Sequence, residues 1–278
     1  TNAQATNIAK STYCSGNSCT FVWKIPDDIG TAAEVKGEDF TIPGSVYDIS
    51  NAQFKIKGRI TLTAPTAGQV YLFDNTKKIT WTPDGTIGNV KVALAANGTS
   101  YQVIDTVPAT DGEYPKSPNP WKWPDFTQAP YSQPTADIAK VKVYKDAAGE
   151  DDVTTGTAGE SPAFKWQKLT VNTPATMEIG TSPSITWTAV GAAAAPNNDL
   201  EIKYALDGDN IFDDGTVVGT VGFTVGSQSW TLPGNVILAN EKDTDVKVRV
   251  QLKNDPAQGV NSGAFTIRSR LNMVYPYN

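Results

Sequence analysis

Hydrophobic and polar residues alternate with a period of two along much of this chain, and β-branched residues dominate the alternating runs. This alternation is typical of β-strands, because successive side chains of a strand point to opposite faces. The clearest runs are VKVAL at 90–94, VKVYK at 141–145, VKVRVQL at 246–252 and FTIR at 265–268. An Ala-rich stretch at 191–196 ends in proline, so we predict a loop there. The pattern predicts an all-β protein.

A longer pattern recurs at residues 52–65, 163–174 and 264–276. Each copy has a Phe, an alternating strand, a basic residue (Arg59, Lys168 or Arg270) and a second alternating strand that ends in proline. The three prolines are 109 and 102 residues apart. We interpret the pattern as a domain junction, where the last strand of one domain runs directly into the first strand of the next. A period near one hundred residues, made of short strands, predicts tandem β-sandwiches.

Two further motifs keep the same order and define the predicted domains. ITWT occurs at 79–82 and 185–188, and Trp-x-x-Pro begins at Trp23, Trp121 and Trp230. We predict complete domains at 58–166 and 167–268. Residues 1–57 lack ITWT and match only the second half of a repeat, whereas residues 269–278 match only its first strand. We expect both pieces to be completed, either by further polypeptide or by strands exchanged between subunits.

The aromatic anchors of these motifs are predicted to fill the cores. Trp81 and Trp187 each lie in mid-strand between two threonines, where a tryptophan fills the space between two sheets. Stacking on a sugar is the alternative for these two residues. The full set of predicted core anchors is Trp23, Trp81, Trp187, Trp230, Phe54, Phe164 and Phe265.

The order of the anchors resembles one group of immunoglobulin-like (Ig-like) modules. The shared pattern is I-x-x-x-x-P at 60–65, ITWT, a strand pair, W-x-x-P, a V-x-V strand and a closing S-x-x-F-x-I. Such modules occur in fungal Ser/Thr-rich GPI-anchored cell-wall proteins and in multi-repeat surface proteins of bacteria. The resemblance implies tandem Ig-like sandwiches with Greek-key topology, about seven strands each, on an extracellular or cell-surface protein. It carries over no catalytic residue.

Composition narrows the function classes. The chain has 278 residues, a net charge of −6 and no His. The acidic balance argues against nucleic acid as a partner. The lack of His excludes Ser-His-Asp and Cys-His catalysis and His-ligated metals. Carboxylate-only glycosidase chemistry survives this test, but no such constellation recurs, so we predict that the protein is not an enzyme. No apolar run approaches the ~18 residues of a membrane helix, and we expect no membrane insertion.

The two cysteines, Cys14 and Cys19, enclose four residues that include Gly16 and Asn17 and favour a turn. We predict a disulfide across a tight hairpin, which implies an oxidising compartment. A reduced structural pair is the alternative. Two features depart from the repeat pattern: an insert at 108–136 is longer than in the next repeat, and this hairpin has no counterpart in the other copies.

The insert interleaves aromatic residues with prolines, as a rigid exposed platform would require. Two interpretations stay open: a platform on which sugars stack, or a packed loop that contacts a neighbouring subunit. The residues concerned are Tyr114, Trp121, Trp123, Phe126 and Tyr131.

A cluster of acidic residues follows in the second domain, in the turn DGDNIFDDG. Asp207, Asp209, Asp213 and Asp214 offer hard oxygen ligands that suit calcium. The turn fails the EF-hand pattern because Phe212 stands at the sixth position. A solvated acidic turn is the alternative, and we predict no other cofactor. Asn97-Gly98-Thr99 is a glycosylation sequon that is equally a good hairpin turn.

These observations favour a structural segment of an extracellular tandem-repeat protein that builds a surface layer, stalk or filament. The alternative is an adhesin or a carbohydrate-binding accessory module of a secreted protein. The expected partners are other copies or neighbouring repeats of the same protein, with cell-wall glycan as a further candidate.

Overall fold

The computed structural model describes residues 20–39, 41–72, 77–116, 129, 138–154, 156–191, 199–206, 212, 217–232 and 242–269. Within these ranges the regular structure is β-strand, apart from one turn of 3-10 helix at Ala109–Asp111. The all-β prediction is confirmed. The described ranges contain no helix long and apolar enough to span a membrane.

Four short strands come first in the described chain. They are β1 (Gly30–Ala33), β2 (Lys36–Glu38), β3 (Tyr47–Ile49) and β4 (Phe54–Ile56). β1 pairs antiparallel with β4, and β2 pairs antiparallel with β3. The four strands thus form one long, interrupted hairpin, which we call the N-terminal hairpin.

A first sandwich follows, with two antiparallel sheets in the orders β10-β7-β5 and β12-β11-β8-β9. Its buried residues form one hydrophobic cluster between the sheets. The strands are β5 (Arg59–Ala64), β6 (Val70–Leu72), β7 (Ile79–Asp84), β8 (Asn89–Ala95), β9 (Gln102–Pro108), β10 (Glu113–Tyr114), β11 (Lys140–Lys145) and β12 (Ala158–Glu160).

A second sandwich repeats this plan. One sheet has the order β18-β15-β13-β6; the other contains β14, β21, β19, β16 and β17 in that order, with β20 also paired to β19. The strands are β13 (Lys165–Val171), β14 (Met177–Glu178), β15 (Ser184–Val190), β16 (Asp199–Ala205), β17 (Gly219–Gly222), β18 (Ser227–Ser229), β19 (Lys242–Leu252), β20 (Asp255–Asn261) and β21 (Phe265–Arg268).

The tryptophans of the two ITWT motifs lie at equivalent points in the two cores. Trp81 is 3% exposed and Trp187 is 4% exposed. The Trp81 indole N–H donates to the Ala109 carbonyl at 2.9 Å, and that of Trp187 donates to the Phe223 carbonyl at 3.2 Å. These bonds satisfy the polar atom that a buried tryptophan carries. Neither ring presents a face on which a sugar could stack.

The other predicted anchors divide between the sandwiches and the hairpin. Phe164, Phe265 and Trp230 are buried in the sandwich cores, and the Trp230 ring lies 4.7 Å from that of Tyr204. Trp23 and Phe54, in contrast, are only half-buried. Both belong to the part of the chain that precedes the first sandwich, where the described residues supply no facing sheet to cover them.

Tyr114 corrects our interpretation of the insert. It is 5% exposed and belongs to the first core, because β10 pairs with β7 and places Tyr114 opposite Ile79. Tyr114 is therefore a core residue and does not belong to an exposed platform. The remaining candidates fall outside the described residues: the aromatics Trp121, Trp123, Phe126 and Tyr131, the acids Asp207, Asp209, Asp213 and Asp214, and the cysteines Cys14 and Cys19.

Candidate functional site

The junction between the two sandwiches is a single strand, β13. Lys165, Trp166 and Gln167 pair in parallel with β6 of the first sandwich. The very next residue, Lys168, begins the antiparallel pairing with β15 of the second sandwich. No residue of β13 is left between the two ladders to act as a linker. Domains joined through flexible linkers move relative to one another, and this junction lacks that freedom.

β6 also belongs to both sandwiches. Tyr71 packs into the first core, with its ring 5.3 Å from that of Phe164 in an edge-on arrangement. Its neighbours Val70 and Leu72 pack into the second core. Because alternate side chains of a strand point to opposite sides, this three-residue strand contributes to two cores at once.

The outer edge of β6 is covered by a glutamine of the second sandwich. Gln258 of β20 is 1% exposed. Its Oε1 accepts from the main-chain N–H of Leu72 at 2.8 Å, and its Nε2 donates to the Val70 carbonyl at 2.6 Å. The amide side chain thus supplies the two hydrogen bonds that a further strand would make. Buried main-chain groups need such partners.

One acidic and one basic side chain flank this contact. Asp255 accepts from Gln258 Nε2 at 2.9 Å and forms an ion pair with Lys77 at 2.6 Å. Burial, with the nearby charge of Asp255 as a smaller contribution, raises the pKa of Tyr71 to about 12. The Tyr71 hydroxyl donates to the Lys78 carbonyl at 2.9 Å. The junction therefore keeps Tyr71 protonated and neutral.

Arg249 holds the turn that presents Gln258. Its guanidinium donates to Gln251 and Asn261 side chains, each at 2.9 Å, and to the carbonyls of Pro256 at 3.0 Å and Ala257 at 3.3 Å. Burial lowers the pKa of Arg249. These bonds fix the β19–β20 turn. A cleft of about 300 Å³, lined by Gln69, Asn254 and their neighbours, lies beside the contact.

An arrangement that we call the serine bridge is found three times among the described residues. In the sandwiches, the Ser161 N–H donates to the Val141 carbonyl at 2.8 Å and the Val141 N–H donates to Ser161 Oγ at 3.0 Å. Ser262 and Val248 form the same pair at 2.7 and 3.0 Å. Each serine hydroxyl also donates to the carbonyl of the following residue.

The N-terminal hairpin contains the third serine bridge. The Ser50 N–H donates to the Val35 carbonyl at 2.8 Å, and the Val35 N–H donates to Ser50 Oγ at 3.3 Å. Two residues before each valine, the strand pairs with the closing Phe, as Ala33 pairs with Phe54. Ala139 with Phe164 and Val246 with Phe265 correspond. The hairpin thus corresponds to the strands that close each of the two sandwiches.

The hairpin is fastened to the first sandwich by Asp27. Its carboxylate accepts from the Thr86 N–H at 2.8 Å and from the Thr86 hydroxyl at 2.7 Å. Those bonds lower the pKa of Asp27. Ile29 packs against the first core beside them. Each unit thus makes specific contacts with the next.

Sequence reasoning missed both Gln258 and the role of the serines. The closing S-x-x-F is visible in the sequence, at Ser161 and Ser262, and could have suggested a structural serine. The environment of Gln258 carries no such signal. Among the described residues, no group of three or more His, Cys, Asp or Glu side chains could hold a metal ion.

Comparison with known proteins assigns no family to the chain. No protein-family model matches the chain, and no curated protein matches it. Among solved structures it is similar to the Clostridium thermocellum CbhA fibronectin(III)-like modules, with 15% identity and a TM-score of 0.23 over 79% of this chain and 100% of that chain. It is also similar to a marsupial T cell receptor, with 8% identity and a TM-score of 0.28 over 80% and 76%. The DIP-gamma IG1+IG2 structure gives 7% identity and a TM-score of 0.22 over 77% and 99%. These likenesses are too low to carry an argument about function or ligand, and the β-sandwich fold rests on the sheet order and the buried cores described above.

Proposed function

We propose that this chain is a structural segment of an extracellular tandem Ig-like repeat protein that builds a surface layer, stalk or filament. The observation that carries the proposal is β13: Gln167 pairs with β6, which packs into both cores, and the next residue, Lys168, pairs with β15 of the second sandwich. A segment of this kind resists bending at its junction. Proteins that transmit force or hold a fixed spacing need that property.

Two further features support the proposal. Gln258 ties the main chain of β6 to β20 across the same junction, so the two sandwiches are held at two points. The serine bridge recurs in all three units, as an array of equivalent modules requires. The described aromatic residue of the insert, Tyr114, is buried, which leaves the carbohydrate-binding alternative without a described platform.

Electron microscopy of the purified full chain over a range of concentrations tests the proposal. We expect linear arrays or sheets in which pairs of sandwiches recur at a constant spacing, with little bending within each pair. A chain that stays as single particles at every concentration, and binds wall glycans saturably on a glycan array, would instead support the adhesin alternative.

A further inference from the structure

The N-terminal hairpin has an inner face that the described residues leave open. Register with the two sandwiches assigns Ala33, Val35, Phe54 and Ile56 to this face. The equivalent residues of both sandwiches are buried: Ala139, Val141, Phe164 and Trp166 in the first, and Val246, Val248, Phe265 and Ile267 in the second. In the hairpin Val35 is 38% exposed and the other three are half-buried. Among the described residues, this face is half of a core whose facing half is not present.

In the two sandwiches the opening strand contributes to covering that face. β5 packs Ile60 and Leu62 into the first core, and the second part of β13 packs Leu169 and Val171 into the second. Each opening strand follows the closing Phe of the unit before it: β5 follows Phe54 and this part of β13 follows Phe164. The closing strand of each unit is therefore followed directly by the opening strand of the next unit.

A third opening strand is encoded after β21. Residues 270–276, RLNMVYP, have the same pattern as RITLTAP at 59–65 and KLTVNTP at 168–174. Leu271 and Met273 stand at the positions of Ile60 and Leu62 and of Leu169 and Val171. The opening positions of the two described sandwiches are already filled, by β5 and by the second part of β13; residues 270–276 lie outside the described residues.

We propose that residues 269–278 of a second copy of this chain cover the inner face of the N-terminal hairpin as its opening strand. This inference rests on the proposed function and names the contact by which segments join. The order of the units along the chain supports a second copy as the donor. The strand after β21 would open a unit that follows the second sandwich, whereas the hairpin comes before the first sandwich. Repetition of the contact is head-to-tail, and such contacts propagate into linear assemblies.

Two paired inner positions differ between the hairpin and the sandwiches. Gly37 of the hairpin corresponds to the buried Val143 and Val250. Asp48 of the hairpin corresponds to Gly159 of the first sandwich and Val260 of the second. A Cβ at Gly159 would lie 2.5 Å from the Ile60 carbonyl oxygen, so β5 approaches that point very closely. We expect the incoming strand to lie further from the hairpin beside Asp48.

Peptide binding tests the inference directly. The receptor is the full chain with Leu271→Asp and Met273→Asp, whose own opening strand is disabled, and the probe is a labelled peptide of residues 269–278. We expect saturable binding. The peptide with the same two substitutions should bind at least about tenfold more weakly, because a charge would enter an apolar site. The peptide with Asn272→Asp, a change at the alternate position, should bind like the unmodified peptide. Equal binding of all three peptides, or no binding, would overturn the inference.

The hairpin offers a matched pair of receptor variants. Val35 is 38% exposed and Ile49 is 42% exposed, but Ile49 pairs with Lys36 and corresponds to Glu160, on the outer face. Val35→Asp should abolish peptide binding and Ile49→Asp should leave it unchanged. If both substitutions weakened binding equally, the peptide would be binding non-specifically to exposed apolar residues, and the inner face would not be its site.

Dilution of the wild-type chain tests whether a second copy is the donor. We expect the labelled peptide to bind the dilute wild-type chain and to lose access as the chain concentration rises. A wild-type chain that excludes the peptide at every dilution holds its own strand, and that result contradicts the second-copy claim. If the peptide bound but electron microscopy showed no arrays, the proposed function would be wrong and this contact would still hold. If arrays formed but the peptide did not bind, this contact would be wrong and the proposed function would still hold.

Discussion

Gln258 and Leu72 are 186 residues apart in the sequence, yet the Leu72 main-chain N–H donates to the Gln258 side chain at 2.8 Å. The same amide donates to the Val70 carbonyl. One side chain of the second sandwich therefore takes the place of a strand at the edge of β6. Together with β13, this contact links the two sandwiches at a second point.

Replacing Gln258 with leucine should uncouple the sandwiches. The change leaves the Leu72 N–H and the Val70 carbonyl buried without these partners, at a cost of about 1–3 kcal/mol for each group. We expect a lower midpoint in urea and a single unfolding transition that separates into two. The exposed Gln53 provides the control, because Gln53→Leu alters no buried group. Identical unfolding curves for the two variants would show that Gln258 does not couple the domains.

Truncating Trp187 tests the core of the second sandwich. Trp187→Ala removes a buried indole together with its bond to the Phe223 carbonyl, and should lower the free energy of unfolding by about 3–5 kcal/mol. Tyr47→Ala, at a site 54% exposed, should change it by no more than about 0.5 kcal/mol. Chemical denaturation followed by circular dichroism measures both. An unchanged midpoint for Trp187→Ala would contradict the packing described here.

Alkaline pH should weaken the junction through Tyr71. Its pKa is raised from 10.0 to about 12 in the folded chain, first by burial and then by Asp255. A raised pKa means that the folded state holds the proton more tightly, so this stabilisation is fully present below pH 10 and is lost as the pH rises toward 12. We expect stability to fall over that window, and Tyr71→Phe to reduce the fall. A spectroscopic titration in which Tyr71 ionises with the exposed tyrosines would refute the assignment.

Acid should loosen the attachment of the hairpin to the first sandwich. The hydrogen bonds from Thr86 lower the pKa of Asp27 below 3.8. The resulting stabilisation is present above that value and is lost as the pH falls through the lower, folded-state pKa. At neutral pH, Asp27→Asn should accelerate tryptic cleavage after Lys24, and Asp28→Asn, a change at the exposed neighbour, should not. Equal cleavage rates would mean that Asp27 does not fasten the hairpin.

The sequence predicted the junction because its signal is local. Residues 163–174 contain a Phe, two alternating runs and a basic residue between them, and β13 covers both runs. Trp81 and Trp187 were predicted for the same reason, since alternation within one strand decides which side chains face inward. The all-β fold follows from many such runs.

The sequence could not predict Gln258 or Tyr114. Gln258 lies in DPAQGVN, a stretch that resembles a polar turn, and its partners are far away in the sequence. A buried glutamine and a solvated one look alike until the distant main chain is placed. Tyr114 lies within the Pro-rich insert at 108–136, which suggested exposure, whereas pairing with β7 buries it. The equivalent strand of the second sandwich, Ser227–Ser229, contains no aromatic residue that could have indicated otherwise.

Hydrogen exchange on the full chain, dilute and assembled, tests the central claim that two complete sandwiches are joined to an open hairpin that a second copy closes. In the dilute chain we predict that amides of β1–β4 exchange much faster than those of β8, β11 and β19, and that assembly slows the exchange of β1–β4 but not that of β8, β11 and β19. The two serine bridges of the sandwiches serve as internal standards for that of Val35 and Ser50. Equal protection of the hairpin and the sandwiches in the dilute chain would contradict the claim, because it would mean that the hairpin already has a complete core.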